Sequence, residues 1–462
     1  MDYLSRRLRS RQRSTNDAQR SQALNLDSVP PAITYPVLTL PVEIVSQIFS
    51  WTLVPGGPTS PFSAERKSLI LGHIGRLWRQ IALSTPELWN VMHLTIGRGP
   101  LEPTCIHTFF SRAASLPLSI SVNTEFYNNW DALRTTLNAI VPYSRAWGNL
   151  SISARGEDLQ PLQAIRELPH LESLTLILVD AEDGMLATMF QNAPLLRKAH
   201  LAWIGCQRAA LPWSQLTSLH LDGFTWNHFG EMLGWTPGLV DLIIGPLSGA
   251  IHTPHLPPLP QLRSVIFSGT EIPLQTVILS RLEAPLRVLR ISVRGDLAPF
   301  ALPMAHPASL ERLSVDIRST YARVSASPSI ESLNDMSSLR LLKITVHDYD
   351  PTASFALDPL ILRLAEDAGF LPVLESLAII LLEHYSALHI PFDAQIMTDM
   401  LCARWLSGLR HFELRSRRPL PDLDEKAVDL EARGMHIHLE TSPTLEVHFN
   451  RAEILNPTHS YH

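Results

Sequence analysis

Cysteine is scarce in this chain: three residues in 462, Cys105, Cys206 and Cys402, far apart in sequence. They form neither a disulfide framework nor a metal knuckle, and so point to a reducing compartment, cytoplasmic or nuclear. No apolar run approaches the roughly 20 residues that span a bilayer. The most apolar strip, Leu377 to Leu382, has the length of one buried strand. Charge of one sign is not in excess either. A net charge of −6 is small for this length and implies no polyanionic partner. Ten tryptophans are scattered rather than interleaved with basic residues, which argues against base stacking on nucleic acid. The phosphate-cradling glycine loops, the nucleophile elbow and the His-Glu-x-x-His zinc helix are all missing. The expectation is a protein without catalytic residues, cofactor or bound metal.

What the chain has in plenty is leucine in a fixed pattern. From residue 171 the template Leu-x-x-apolar-x-apolar recurs at Leu171, Leu196, Leu216, Leu239, Leu262, Leu286, Leu310, Leu339, Leu374 and Leu409. A weaker copy begins at Trp147. Most intervals fall within the 20–29 residue period of leucine-rich repeats. Alternation over the last three positions is that of a half-buried strand. Proline often stands just before the template, as in LPHLESL and LPQLRSV, where it biases the chain toward extended geometry. Segments such as AEDGMLATMFQNA and LDPLILRLAEDAG between the strands have helical spacing. Strand, return and strand in one sense predict an α/β solenoid with a parallel sheet on its concave side.

The repeat departs from the leucine-rich pattern at one place. Eight residues after each first leucine stand Val179, Ile204, Phe224, Leu247, Thr270, Arg294, Arg318, His347, Leu382 and Arg417, never Asn or Cys. The turn after each strand must be satisfied some other way, such as helical or 3₁₀ geometry. A right-handed β-helix of the carbohydrate-active kind has coils of similar length, but 21 glycines are few for its stacked turns.

The N-terminal part reads differently. Residues 1–35 open with MDYLSRRLRSRQRS, an Arg- and Ser-rich stretch without the apolar centre of a secretory signal. We read it as a solvated basic tail; a transit peptide or nuclear-localisation patch is the other reading. Then LTLPVEIVSQIFSWTLVP (Leu38 to Pro55) and ERKSLILGHIGRLWRQIALSTPELW (Glu65 to Trp89) predict three short helices, with a break near Gly72 and Gly75. These helices carry more apolar surface than so small a unit can bury, and an exposed patch of that kind marks a protein interface.

Leu40-Pro41-x-Glu43-Ile44, then Ile74-x-x-x-Trp78-Arg79-x-Ile81-Ala82-Leu83-Ser84-Thr85-Pro86-x-Leu88-Trp89, resembles an F-box. The pattern is similar to the F-box plus leucine-rich-repeat proteins common in mushroom-forming fungi, strongly over Leu38 to Leu94 and loosely over the repeats. Gly75 stands where that family often has Cys, and the loop of about Pro55 to Ala64 is long. In a helix interior the glycine would cost up to about 1 kcal/mol relative to Ala. The resemblance implies docking on a Skp-type adaptor, and through it a cullin ubiquitin ligase, by Leu40, Pro41, Ile44, Val45, Ile48, Phe49, Ile74 and Trp78. Val45 and Trp78 also suit the unit's own core.

The organisation expected is therefore a tail over 1–35, an F-box over 36–95, a repeat array over 96–440 forming an irregular leucine-rich horseshoe, and a tail over 441–462. Third and fifth template positions should face out of the sheet, where Lys198, His200, His220, Asp241, Arg290, Arg312 and Lys343 are candidate target contacts. Adjacent strands would bring His200 and His220 within about 5 Å. His436 and His438 share a strand face without a third metal ligand nearby; Asp422, Asp424 and Glu425 read as a solvated loop; His252 and His255 read as turn residues. Together these features predict a substrate-recognition subunit of a Skp-cullin-F-box ligase. The alternatives are a leucine-rich scaffold outside any ligase and, third, an enzyme on a β-solenoid.

Overall fold

The computed structural model describes residues 40–52, 64–96, 102–124, 130–178, 188–202, 210–248, 256–294, 302–318, 330–349, 357–383, 394–416 and 421–441. Its strands are β1 Val91–Ile96, β2 Leu118–Thr124, β3 Trp147–Ala154, β4 Ser173–Leu178, β5 Lys198–Ala202, β6 Ser218–Asp222, β7 Phe224–Thr225 and β8 Asp241–Ile244. They continue as β9 Leu247–Ser248, β10 Ser264–Phe267, β11 Val288–Arg294, β12 Arg312–Arg318, β13 Leu341–Tyr349, β14 Ser376–Glu383, β15 His411–Ser416 and β16 His436–Thr441. Fourteen of them form one sheet in chain order, and β7 and β9 make a separate small pair. Neighbouring strands pair in parallel. Each repeat thus adds a strand to the same growing edge, an α/β arrangement with the return segments as connectors.

The leucine template explains this sheet. Ten strands of the large sheet, β4 to β15 without β7 and β9, each begin two residues after a template leucine, and all ten leucines are buried. The fourth and sixth positions, for example Leu219 and Leu221, are buried as well. Period-2 alternation puts them on the face that the connectors cover. The amide after the leucine extends the ladder ahead of each strand. Thr217 N–H donates to the Arg197 carbonyl at 2.9 Å, and Val240 N–H to that of Thr217 at 2.9 Å. These otherwise orphaned backbone groups are therefore satisfied before the strand proper begins.

The connectors are mixed. Among the described residues, five α-helices of nine residues or more serve after β3: α6 Trp226–Trp235, α7 Ile272–Arg281, α9 Asp358–Glu366, α10 Ala394–Ser407 and α11 Pro421–Ala432. They are separated by a short α8, Ile330–Leu333, and by 3₁₀ turns. The expected helix in LDPLILRLAEDAG is α9, whereas the described end of AEDGMLATMFQNA holds only the 3₁₀ turn Thr188–Phe190. Asp422, Asp424 and Glu425 fall inside α11, not in a loop; Pro421 opens that helix, where its missing N–H costs nothing. His252 and His255 lie outside the described residues.

One turn shows what stands in for the missing asparagine. The buried Thr270 hydroxyl is 2.6 Å from the Gly245 carbonyl and 3.1 Å from that of Ile244, on the preceding repeat. Gln275 then donates its side-chain N–H to the Thr270 and Ser292 carbonyls, at 2.6 and 2.7 Å. Threonine and glutamine together satisfy the backbone at this turn.

The expected three helices precede the sheet: α1 Val42–Thr52, α2 Ala64–Ile74 and α3 Arg76–Leu83. Between β1 and β3 lie α4 Pro103–Arg112 and α5 Trp130–Ile140. Gly75 does not sit within α3. It is the residue before it, with extended backbone (φ −172°, ψ 169°) that any residue adopts. A Cβ there would meet nothing within 4 Å, so the glycine does not loosen the helix. The segment after α3 ties the unit to the sheet. Thr85, Leu88 and Trp89 are buried, and Trp89 Nε1 donates to the Ala82 carbonyl at 2.8 Å. Trp89 also packs edge-on to Phe109, with ring centroids 5.1 Å apart. One apolar core runs from Val45 to Met435 without a break at residue 95. β1 accordingly emerges within the stretch assigned to the helical unit and joins the large sheet.

Candidate functional site

Two surfaces carry the residues that the sequence singled out. The first is the helical unit. Its interior is formed by Val45, Phe49, Leu71, Ile81 and Ala82, all buried, with Phe49 and Trp78 rings 4.9 Å apart. Thr85 Oγ1 lies 3.0 Å from Ser46 Oγ, which closes α1 onto the end of α3. Val45 and Phe49, expected at an adaptor surface, are thus withdrawn into the unit's core. A helix this apolar presents one stripe inward, and these two residues, four apart, are that stripe. Ile48 and Trp78 are half-buried at its margin.

The outward residues are Leu40, Pro41, Ile44 and Ile74, all exposed. They have company. Of the fifteen exposed large hydrophobic residues among those described, nine lie between Leu40 and Leu83: Leu40, Val42, Ile44, Trp51, Leu69, Ile70, Ile74, Leu77 and Leu83. Trp51 is 63% exposed and Ile74 57%. Scattered apolar residues on a surface need no explanation, but this concentration on three short helices does.

The second surface is the face of the sheet opposite the connectors. Register places Lys198, Ser218 and Asp241 in one row and His200, His220 and Ile243 in the next. The expected neighbours His200 and His220 are there: their rings stack with centroids 3.8 Å apart and planes 7° from parallel. Arg290, Arg312 and Lys343 stand on β11, β12 and β13, at least three strands from His220. The seven candidates therefore do not form one site. Arg290 is also engaged, its Nη2 lying 2.7 Å from Asp316 Oδ2. Mid-sheet the face is less open than expected, for Ile243 and Ile266 are buried. Near its end His411 and His436 stack at 5.1 Å, and His438 Nε2 lies 3.7 Å from Glu440 Oε2.

Asp222, which lies outside the leucine template, completes the histidine pair. Its Oδ2 is 2.8 Å from His200 Nε2 and 3.2 Å from His220 Nε2. Burial opposes ionisation of Asp222, but the two imidazoles outweigh it and hold the carboxyl well below the usual range. The signal was available: Asp222 follows His220 by two residues in SLHLD, which places both on one strand face.

Asp241 is a simpler case. Burial raises its carboxyl above the ordinary range, with the Lys198 charge opposing in part. A carboxylate with a raised folded-state value subtracts stability at every pH above its unfolded value of about 3.9. Asp241→Asn is therefore expected to raise the unfolding midpoint at pH 7 and to have little effect near pH 3. A lowered midpoint at pH 7 would count against this.

The chain matches no protein-family model, and no curated protein matches it significantly. Among the described residues no helix is long and apolar enough to cross a membrane.

Proposed function

We propose that this protein is a non-enzymatic substrate receptor whose helical unit is an F-box. In this reading α1–α3 dock on a Skp-type adaptor within a cullin ubiquitin ligase, and the repeats form a leucine-rich horseshoe that holds a target protein. The observation that carries it is the concentration of exposed apolar side chains on the three helices. The motif resemblance over Leu38 to Leu94 supplies the identity of the partner. The docking set is Leu40, Pro41, Ile44 and Ile74, with Ile48 and Trp78 at its edge; Val45 and Phe49 hold the unit together from within. The contribution to ligation is proximity, since tethering raises the target's effective concentration at the charged conjugating enzyme.

Support for the receptor half comes from the sheet, where successive repeats present rows of polar side chains, such as Lys198, Ser218 and Asp241, in register. Co-expression with a Skp-type adaptor tests the reading. The wild-type chain is expected to co-purify with the adaptor in equal amount, and the Leu40→Ala/Pro41→Ala form to lose it. A wild-type chain that purifies alone, or a double variant that binds equally well, overturns the proposal.

A further inference from the structure

The cluster on β5 and β6 carries an inference independent of adaptor docking. We propose that His200, His220 and Asp222 form a partly buried binding site for a divalent transition-metal ion of the zinc class on the sheet face. One potential ligand atom from each of the three residues lies within 4.8 Å of those of the other two. The two nitrogen–oxygen separations are 2.8 and 3.2 Å. Ligands at about 2.0–2.1 Å from a tetrahedral zinc are separated by about 3.3 Å, so the carboxylate has only a few tenths of an ångström to give way. Two imidazoles and one carboxylate select zinc, cobalt, nickel or copper over magnesium and calcium, which prefer all-oxygen sites.

Three details favour an ion over a proton as what the cluster shares. His220 Nε2 is buried and lacks an aligned hydrogen-bond partner; its 3.2 Å approach to Asp222 is close enough for ligation but poorly directed for donation. Both nitrogens converge on a single oxygen, whereas a purely hydrogen-bonded pair would be served better by the two oxygens separately. The third detail is Gly245, the residue that follows β8 and lies against Asp222. A Cβ at that position would stand 1.6 Å from Asp222 Oδ1. Its backbone is not in the left-handed region that favours glycine, so the missing side chain serves to admit the carboxylate.

Three protein ligands leave one tetrahedral position for water or for a donor atom of a bound partner. The ligand side chains are 14%, 16% and 24% exposed, so the site can be reached from the sheet face. Capture requires a tilt of the parallel rings toward a common point, which exchanges their stacking for coordination.

Titration of the untagged full chain with Zn²⁺, in competition with a chromophoric chelator, tests the site. One equivalent is expected to bind, and His220→Ala or Asp222→Asn is expected to weaken it about a hundredfold or more. Gly245→Ala, which leaves every ligand in place, should weaken it by displacing the carboxylate. A His411→Ala/His436→Ala form should bind as the wild type does. X-ray absorption of the zinc-loaded wild type keeps the test decisive if a variant fails to fold; two imidazoles and oxygen donors are expected, without sulfur. No stoichiometric binding, equal binding by a folded His200→Ala/His220→Ala form, or sulfur in the shell would overturn the proposal.

Discussion

Exchange of Ile44 and Ile74 together for glutamate is expected to abolish capture of a Skp-type adaptor while leaving the fold intact. Both side chains stand outside the core, at 44% and 57% exposure, so neither substitution buries a charge in the free chain. Surface changes of this kind usually alter stability by less than about 0.5 kcal/mol. Against a partner the same two carboxylates would be desolvated without a counter-charge, which costs several kcal/mol and at least a hundredfold in affinity. Pull-down and thermal unfolding on one preparation separate these effects. Adaptor bound as tightly as by the wild type would remove these residues from the interface. A large fall in the unfolding midpoint would mean that they belong to the core. Phe49→Ala is the converse control, for its ring is 1% exposed and packs on Trp78; it should destabilise the unit first and lose the adaptor only as a consequence.

The second large effect lies at the far end of the chain. Arg404, on α10, is 2% exposed and has no carboxylate within ion-pair distance among the described residues. Its guanidinium spans the end of α9 instead, donating to the carbonyls of Leu364 at 2.6 Å, Asp367 at 2.8 Å and Leu371 at 3.4 Å. These acceptors belong to the last turn of the helix and the turn that follows, where carbonyls have no partner within the helix and the dipole favours a cation. Arg404→Met keeps most of the aliphatic volume and removes every donor. It is expected to cost about 3 kcal/mol, because buried carbonyls left unpaired lose their hydration without compensation. Arg404→Lys should recover only part of this, since one ammonium cannot reproduce the planar fork. Urea unfolding measures both; a Met variant as stable as the wild type would show that these bonds contribute nothing net.

The strands were legible because their signal is redundant. Leu171, Leu174 and Leu176 repeat one apolar triad that recurs nine more times, and only a strand after a buried leucine suits it. Trp147 gave the same signal more weakly, yet β1 and β2 lie upstream of it and carry no template leucine, so the sheet begins earlier than the leucines suggest. The connectors were less legible because helix and 3₁₀ turn make similar demands on short apolar segments. Within α1 the limit was of another kind. Val45 and Ile44 are equally apolar, and hydropathy alone cannot say which of two neighbours faces inward. Packing decides it: Val45 and Phe49 are buried, Phe49 against the Trp78 ring, whereas Ile44 is exposed. The histidine cluster was half legible. Equal template positions placed His200 beside His220, whereas Asp222 and the clearance beneath it at Gly245 depend on a contact between β6 and β8 that no single repeat contains.

Hydrogen–deuterium exchange of the full chain with and without a Skp-type adaptor tests the central claim most directly. The result expected is slowed exchange over residues 40–52 and 64–83 on adding the adaptor, with the strands from β4 onward unchanged. No protection in those helices at saturating adaptor, or protection confined to the sheet, would contradict the proposal that this chain is an F-box receptor.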